Sequence, residues 1–571
     1  MPEFDYEEIH EPVEMYKNRF KREFAEKASA FFDEILAKSK VSEEENAKLV
    51  KEIDNLQQKI DDLSFRVDAF ITLRVFLVIA IIAAAIALVY NFAQRPIDYL
   101  HAFIEVLAIV ISVFGIKWVN PKIANFRRDL SDIRAKFDIK KREAWDMMQP
   151  LNSQFQWDTI NKLVDQTLSI IDIDKIFSSE RLRQLYAYGL EDFNEDCSVA
   201  RCQSGSLNGN PWAIFDLKSQ EWIKKTYYGY KTITYKTLET EVTDSGRTRW
   251  VWKTKTQRLK AEYKAPAPVY LNRKHLIYGH GVAPDLTFFR KPVKIANNRG
   301  KRESAIKELE RKSRDLSTGF TIASNHDFDA SFYAVNRNNE HQFTLLYSAA
   351  AQKETYNLLR DETEGYGDDF SFEKRKTLNI LSSEHLNETD ISGDPGNLRH
   401  YDLKHVRENF LKVSAEYFKC LYFSFAPLFC IPLYQTHDAT KDAAAGDAGN
   451  ETPSKYEYEA LANYMGNAFD PPDADTASIL KIKVVTENGG SASVLVSAKA
   501  FSEVKRTTYV SVFGRDFCFH DVPVDYFEYL PLTKETEIKV CRPTALDSIA
   551  SGATDTAAPV YRRGLAAFIS K

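Results

Sequence analysis

Two uncharged apolar segments dominate the pattern of hydrophobic and polar positions in the first quarter of the chain. Val75 to Ala93 is a run of 19 residues without a formal charge. At about 1.5 Å per residue, a helix of that length crosses the hydrocarbon core of a bilayer. Tyr99 to Val119 is weaker because it contains His101, Glu105 and Lys117. The pattern predicts a transmembrane helical hairpin over residues 71–119, with spans at 75–93 and 99–119.

The short connection between the spans and the basic residues around them predict the topology. A connection of a few residues forces the spans to be antiparallel, so both termini lie on one side. Three Lys or Arg residues lie in the 20 residues before Val75, five in the 20 after Val119, and only Arg95 in the connection. The positive-inside rule therefore predicts a two-pass inner-membrane protein with both termini in the cytoplasm, where its six cysteines are expected to be reduced.

Heptad-spaced apolar residues flank the hairpin on both sides. Before the first span they are Leu49, Ile53, Leu56, Ile60, Leu63, Val67 and Phe70. After the second span they are Val119, Ile123, Phe126, Leu130, Ile133 and Phe137. These stripes predict a coiled-coil stalk formed by residues 42–70 and a returning helical region at 120–190. The alternative is that two chains pair through the first stripe. Residues 1–41 are expected to form an amphipathic helix that covers the stalk.

The pattern changes from helical to strand-like at about Cys197. Strands are predicted at 228–242, 247–263, 320–334, 343–348 and within 481–540, and helices at 300–317 and 405–423. The predicted divisions are an α+β domain at 191–435, a linker at 436–455, a β-rich part at 456–543 and a tail at 544–571. The expected fold class is a membrane-anchored α+β protein, with two transmembrane helices extended by a stalk and followed by a β-rich cytosolic domain.

Four runs in this second region resemble a family of uncharacterised bacterial membrane proteins known from mollicutes. They are Asn338–Leu359, Phe370–Leu386, Tyr417–Tyr434 and Val522–Leu532. The resemblance implies an N-terminal helical hairpin followed by a large β-containing cytosolic part. The family has no assigned activity, so the resemblance transfers no functional residue.

No local catalytic or metal-binding motif is present in the sequence. P-loop, HExxH and GxSxG patterns are absent. Cys197 and Cys202 have no second pair near them, and His326, Asp327 and Asp329 would point to opposite faces of a predicted strand. We therefore predict no catalytic, cofactor-binding or metal-binding residues and no cofactor, although dispersed catalytic groups would leave no such motif.

Positive charge is concentrated in one segment. Residues 224–302 carry 19 Lys and Arg against five acids, whereas the whole chain has a net charge of −5. The cations that alternate with Thr, Tyr and Trp are candidate contacts with an anionic surface: Lys231, Lys236, Arg247, Arg249, Lys253, Lys255, Arg258 and Lys260. Anionic lipid headgroups are the favoured partner, and nucleic acid or an acidic protein is less favoured. The alternative is that these cations pair with acids of the same protein.

The sequence thus favours binding over catalysis. We expect a self-associating, membrane-anchored scaffold or binding protein that is integral to the lipid bilayer and faces the cytosol. One alternative is a membrane-tethered, hydrolase-like enzyme with dispersed catalytic residues. The other is an oligomeric two-span channel subunit lined by Glu105, because an acid inside a span is costly and often functional.

Overall fold

The structure is a computed structural model that describes residues 8–93, 98–242, 247–315, 317, 319–438, 452–488, 490–542 and 559–569. Contacts divide the chain into two compact units. The first comprises Met1–Ala25, Trp157–Gly393 and Ala415–Lys571, and the second comprises Glu26–Gln156 and Asp394–Ser414. Long apolar helices near the N-terminus are followed by a β-rich α+β region with two antiparallel sheets, which confirms the predicted order of elements.

The described residues contain thirteen α-helices. They are α1 (Pro12–Met15), α2 (Lys21–Ser39), α3 (Glu43–Ala93), α4 (Tyr99–Asn152), α5 (Thr159–Thr167), α6 (Ser179–Ala187), α7 (Arg299–Arg314), α8 (His326–Phe332), α9 (Glu340–Leu346), α10 (Ala349–Arg360), α11 (Glu384–Glu388), α12 (Leu403–Phe429) and α13 (Lys455–Tyr464). A π-helical turn at Tyr16–Phe20 joins α1 to α2.

In the second unit, α3 and α4 pack against each other as antiparallel helices. The heptad stripes meet within one chain, because Phe70 of α3 lies 5.6 Å from Phe126 of α4 and 6.1 Å from Trp118, measured between ring centroids. The Asp98 side chain accepts the backbone N–H groups of Leu100 and His101, which caps the start of α4.

The start of α3 is held by a buried amide. Asn46 is 1% exposed, donates to the Tyr401 carbonyl at 2.9 Å and accepts the Leu403 N–H at 2.9 Å. These two bonds join the first turns of α3 to the chain that enters α12, so this end of the helical hairpin is anchored in the unit.

Twelve strands in the described residues form two antiparallel sheets in the first unit. They are β1 (Ile171–Ile173), β2 (Cys197–Leu207), β3 (Asn210–Val242), β4 (Thr248–Gly279), β5 (Thr287–Arg290), β6 (Phe370–Arg375), β7 (Leu378–Ser383), β8 (Ile479–Asn488), β9 (Ser491–Phe513), β10 (Phe519–Cys541), β11 (Val560–Arg562) and β12 (Leu565–Ile569). The larger sheet has the order β1-β2-β3-β4-β7-β6-β5, and the smaller has the order β11-β12-β10-β9-β8.

Two strand pairs extend far beyond the sheets to which they belong. The β2 strand pairs with β3 only as far as Ser219, whereas β3 and β4 remain paired to Val242 and Thr248. We call residues 220–242 and 248–270 the long arm, which at about 3.4 Å per residue is roughly 75 Å long. Strands β9 and β10 extend in the same way, and we call residues 500–513 and 519–532 the short arm.

The two arms stack face to face through a shared apolar cluster. Tyr227, Ile233 and Leu259 of the long arm pack with Val522 and Val524 of the short arm. The backbones come unusually close at Gly229, where a Cβ would lie 2.0 Å from the carbonyl oxygen of Pro523. Glycine is therefore required at this contact.

Three predictions of secondary structure are wrong. Residues 320–334 and 343–348 were expected to form strands but contain α8 and most of α9, because Asn325 and Asn339 accept the N–H groups of Phe328 and Gln342 and so cap these helices. The predicted helical stretch to residue 190 is interrupted by β1. Several predicted features lie outside the described residues: the connection at 243–246 between the predicted strands 228–242 and 247–263, Arg95 of the interspan connection, most of the predicted linker, and the tail up to residue 558.

Candidate functional site

The eight predicted cations all belong to the long arm or the residue before β4, but the pleat of the strands separates them. Side chains on a strand alternate between two faces. On the stretch that the short arm covers, odd-numbered residues such as Tyr227 and Leu259 point towards the short arm. Over residues 227–242 and 248–264, we call that side the inner face and the even-numbered side the outer face; nearer the sheet, the even-numbered Trp222 packs on Phe501 of the short arm. Lys236, Arg258 and Lys260 lie on the outer face, and Lys231, Arg249, Lys253 and Lys255 lie on the inner face.

On the inner face, three of the four cations are paired with acids of the same arm, and Lys231 donates to the Asp521 carbonyl of the short arm at 3.1 Å. Arg249 lies 3.2 Å and Lys253 lies 4.0 Å from the Glu241 carboxylate, and Lys255 contacts Glu239. The Lys255 ammonium lowers the pKa of Glu239. Pairing with acids of the same protein, the alternative raised from the sequence, therefore accounts for Arg249, Lys253 and Lys255.

On the outer face, the cations lie over aromatic rings. The Arg258 guanidinium lies 4.0 Å from the centroid of the Tyr230 ring, and the Lys260 ammonium lies 4.0 Å from that of Tyr228. Glu262 is 3.0 Å from Lys260 and raises its pKa. Both tyrosines are about half exposed, so this is a cationic and aromatic surface that is open to solvent.

The free end of the outer face is apolar, which sequence reasoning missed. Leu238, Val242, Trp250 and Trp252 are 43%, 68%, 68% and 66% exposed, and Leu238 is directly opposite Trp252 in the strand register. The sequence does indicate this apolar cluster, because all four positions are even-numbered and side chains two residues apart on a strand share a face. A count of charges along the whole segment does not separate the two faces and so does not reveal the cluster.

The second candidate surface is the helical hairpin. The most apolar 18-residue windows of α3 and α4 have mean hydropathies of 2.7 and 2.1, and 0% and 17% of their residues are buried in the structure. Both helices are long and apolar enough to cross a membrane. Exposed apolar surface on this scale is rare on a soluble protein.

Glu105 lies on the side of α4 that faces α3. It is partly buried, and its Oε2 atom is shielded from solvent with no hydrogen-bond partner among the described residues. It belongs to the heptad register that continues through the buried residues Ser112, Val119 and Ile123. The residue predicted as an intramembrane acid thus points into the helix pair.

One cluster brings together the residue types of a hydrolytic triad. His385 Nδ1 lies 2.6 Å from Asp369, and its Nε2 lies 3.1 Å from the Ser424 hydroxyl. Tyr366 stacks on the imidazole with 4.1 Å between ring centroids, and Asp369, His385 and Ser424 are all buried. Ser424 lies inside α12 and donates to the Cys420 carbonyl at 2.8 Å. The backbone N–H groups around it are engaged in the helix and cannot serve an oxyanion. We assign this cluster the role of joining β6, α11 and α12.

The cations that line a pocket in the first unit are already bound to acids or to backbone carbonyls. Arg562 and Arg563 lie 2.7 Å and 3.3 Å from the buried Glu457, and the Arg201 guanidinium lies 2.6 Å from Asp390. The Lys274 ammonium donates to backbone carbonyls, including that of Leu386 at 3.1 Å. Arg563 also donates to the Cys202 carbonyl of β2 at 2.9 Å, which joins the C-terminal strands to the large sheet.

The residues around His326 do not form the strand predicted from the sequence. These residues form a helix rather than a strand, and Asp329 is fully buried and bound to Arg337 at 2.6 Å. Among the described residues, no group of three or more His, Cys, Asp and Glu is placed to hold a metal ion. All six cysteines are unbridged.

Comparison with known proteins identifies no relative. No protein-family model, no curated protein and no solved structure matches this chain. The resemblance to a mollicute family therefore remains a prediction.

Proposed function

We propose that this protein is a membrane-anchored binding protein, with α3 and α4 as a two-span anchor and the stacked β arms as its binding element. The observation that carries the proposal is the pair of apolar windows on α3 and α4, which are almost entirely uncovered by protein. In water, that surface would be costly, whereas lipid would bury it on all sides.

The proposed topology places both ends of the helical hairpin in the cytoplasm of a bacterial cell. Antiparallel packing of α3 and α4 is consistent with two passes, and the basic residues outside the spans favour the cytoplasmic side. Glu105, which faces α3, is shielded by the helix pair rather than exposed to lipid.

Membrane fractionation of cells that express the full chain tests this proposal. We expect the protein to stay in the membrane pellet after alkaline carbonate washing, and a C-terminal tag to resist protease added to intact spheroplasts. Release by carbonate would contradict integral insertion. Digestion of the tag from outside the cells would contradict the topology while leaving insertion in place.

A further inference from the structure

We propose that the outer face of the long arm binds an anionic phospholipid bilayer. This inference rests on the proposed function, because it assigns a partner to the arm that we identify as the binding element. The face comprises the even-numbered residues of 228–242 and 248–264.

The charge of the outer face is complementary to an anionic surface. It carries four cations, Lys236, Arg258, Lys260 and Lys264, and one acid, Glu262. All four cations are exposed, and the acid neutralises only Lys260. The inner face differs because Glu239 and Glu241 pair with its cations at the free end of the arm.

The free end of the arm carries apolar side chains that the described residues of the protein leave uncovered. The turn of the short arm reaches Ile233 and Gln257, where the Arg515 N–H donates to the Gln257 side chain at 2.8 Å. Residues 234–242 and 248–256, which we call the distal ribbon, extend about 30 Å further as two strands. A two-stranded ribbon is at best marginally stable alone in water, so a surface that covers one face would stabilise it.

The composition of the distal ribbon favours lipid over nucleic acid. Single-stranded nucleic acids bind by stacking their bases on aromatic rings, which would use Trp250 and Trp252 but gain little from Leu238 and Val242. At the interface of a bilayer, aliphatic and indole side chains are buried together and lysine and arginine reach the phosphates. The outer face offers all of these groups on one side of one ribbon.

The test uses full-length protein held in phosphatidylcholine nanodiscs and measures its co-flotation with separate vesicles. We expect binding to vesicles that contain phosphatidylserine, weak binding to vesicles of phosphatidylcholine alone, and loss of binding as salt is raised. The triple variant K236Q/R258Q/K264Q should lose about 100-fold in affinity, since each cation near an anionic surface contributes roughly fivefold. The variant W250A/W252A should also bind more weakly.

The matched control removes three cations from the inner face. R249Q/K253Q/K255Q lowers the net charge by the same amount and should keep its affinity within about threefold if the outer face makes the contact. Equal losses in the two triple variants, or equal binding to neutral and anionic vesicles, would overturn the proposal. Quenching of Trp250 and Trp252 fluorescence by brominated lipid, measured as the difference from W250F/W252F, should be present and would be absent if the face stayed in water.

An oligothymidine binding assay on the same variants tests nucleic acid as the alternative partner of the outer face. Loss of oligonucleotide binding in the outer-face variant, with vesicle binding unchanged, would assign the face to nucleic acid instead. Failure of the proposed membrane anchor can be distinguished from failure of the proposed lipid binding by the outer face, because carbonate extraction tests only the insertion of α3 and α4. A protein that needs no nanodisc can be floated directly with the same two kinds of vesicle.

Discussion

The helical hairpin and the long arm both carry large apolar side chains that the described protein leaves uncovered, but they arrange them differently. In α3 and α4, exposed apolar residues occur around the helix, including Phe76, Ile82, Ile86 and Val89. In the distal ribbon, they lie on one face only, with ion pairs on the other. An element that is apolar on all sides needs an apolar medium around it, whereas an element that is apolar on one side needs a boundary.

The strongest test of this comparison places charges among the exposed apolar residues of α3. The variant I82D/I86D should abolish integration into the membrane, since each acid at the centre of a span costs about 3 kcal/mol. Carbonate extraction measures the result. Phe65→Asp is the control, because Phe65 is 74% exposed but lies before the apolar run, and it should remain in the pellet. If I82D/I86D also stayed there, the helices would not be the anchor.

A second test disrupts the stacking of the two arms. Gly229→Ala would force a methyl group onto the Pro523 carbonyl and should lower the free energy of unfolding by about 3 kcal/mol, at the upper end of the cost of overpacking. Thermal unfolding measures the loss. Thr232→Ala on the exposed outer face is the matched control and should unfold like the parent protein. Equal stability of the two variants would mean that the arms do not stack as described.

A third test concerns the stability of the unit that carries the arms, through Glu459, a buried acid of α13 that lies outside both arms. Burial raises the pKa of Glu459 to about 7, and Val199 N–H donates to this carboxyl group at 2.5 Å. The folded state therefore binds more protons than the unfolded state between about pH 4.5 and pH 7, and stability falls as pH rises through that window.

Glu459→Gln should remove this pH dependence. At pH 8 the variant should be more stable than the parent protein by about 3 kcal/mol, and the difference should vanish near pH 4. Chemical denaturation across this range measures it, with the exposed Glu487→Gln as the control. A constant difference at every pH would refute the proposed proton uptake by Glu459.

The smallest expected effect concerns the inner face of the distal ribbon. E239Q/E241Q removes the acids of exposed ion pairs and should leave the free energy of unfolding nearly unchanged. Binding to anionic vesicles should not weaken, because the removal of two negative charges adds no repulsion from an anionic surface. A large loss of stability would show that these pairs hold the ribbon together, and the contrast between its two faces would then be weaker than we describe.

Sequence patterns predicted the elements that repeat and missed those fixed by single side chains. The seven-residue spacing from Leu49 to Phe70 predicted the pairing of α3 with α4, and two-residue alternation predicted β3 and β4. The aromatic residues of α8 and α9 are typical of strands, but the Asn325 and Asn339 side chains cap the first turns of these segments and begin helices instead.

The candidate site was predicted in part for the same reason. A count of charges found the cationic segment, but only the register reveals that Lys236 and Arg258 share a face with Trp250 and that Lys253 and Lys255 do not. The stacking of the short arm on the long arm could not be predicted. It joins residues almost 300 positions apart, such as Gly229 and Pro523, and no local pattern encodes that contact.

Strand alternation also makes the length of the long arm a matter of parity. The pairing of β2 with β3 ends at Ser219. If each strand of the arm lost or gained one residue between that point and the distal ribbon, Trp250, Trp252 and Lys236 would move to the face that now carries the ion pairs. Loss or gain of two residues in each strand would shorten or lengthen the long arm, and each side chain would stay on its present face. Natural variants of this protein should therefore differ here by even steps.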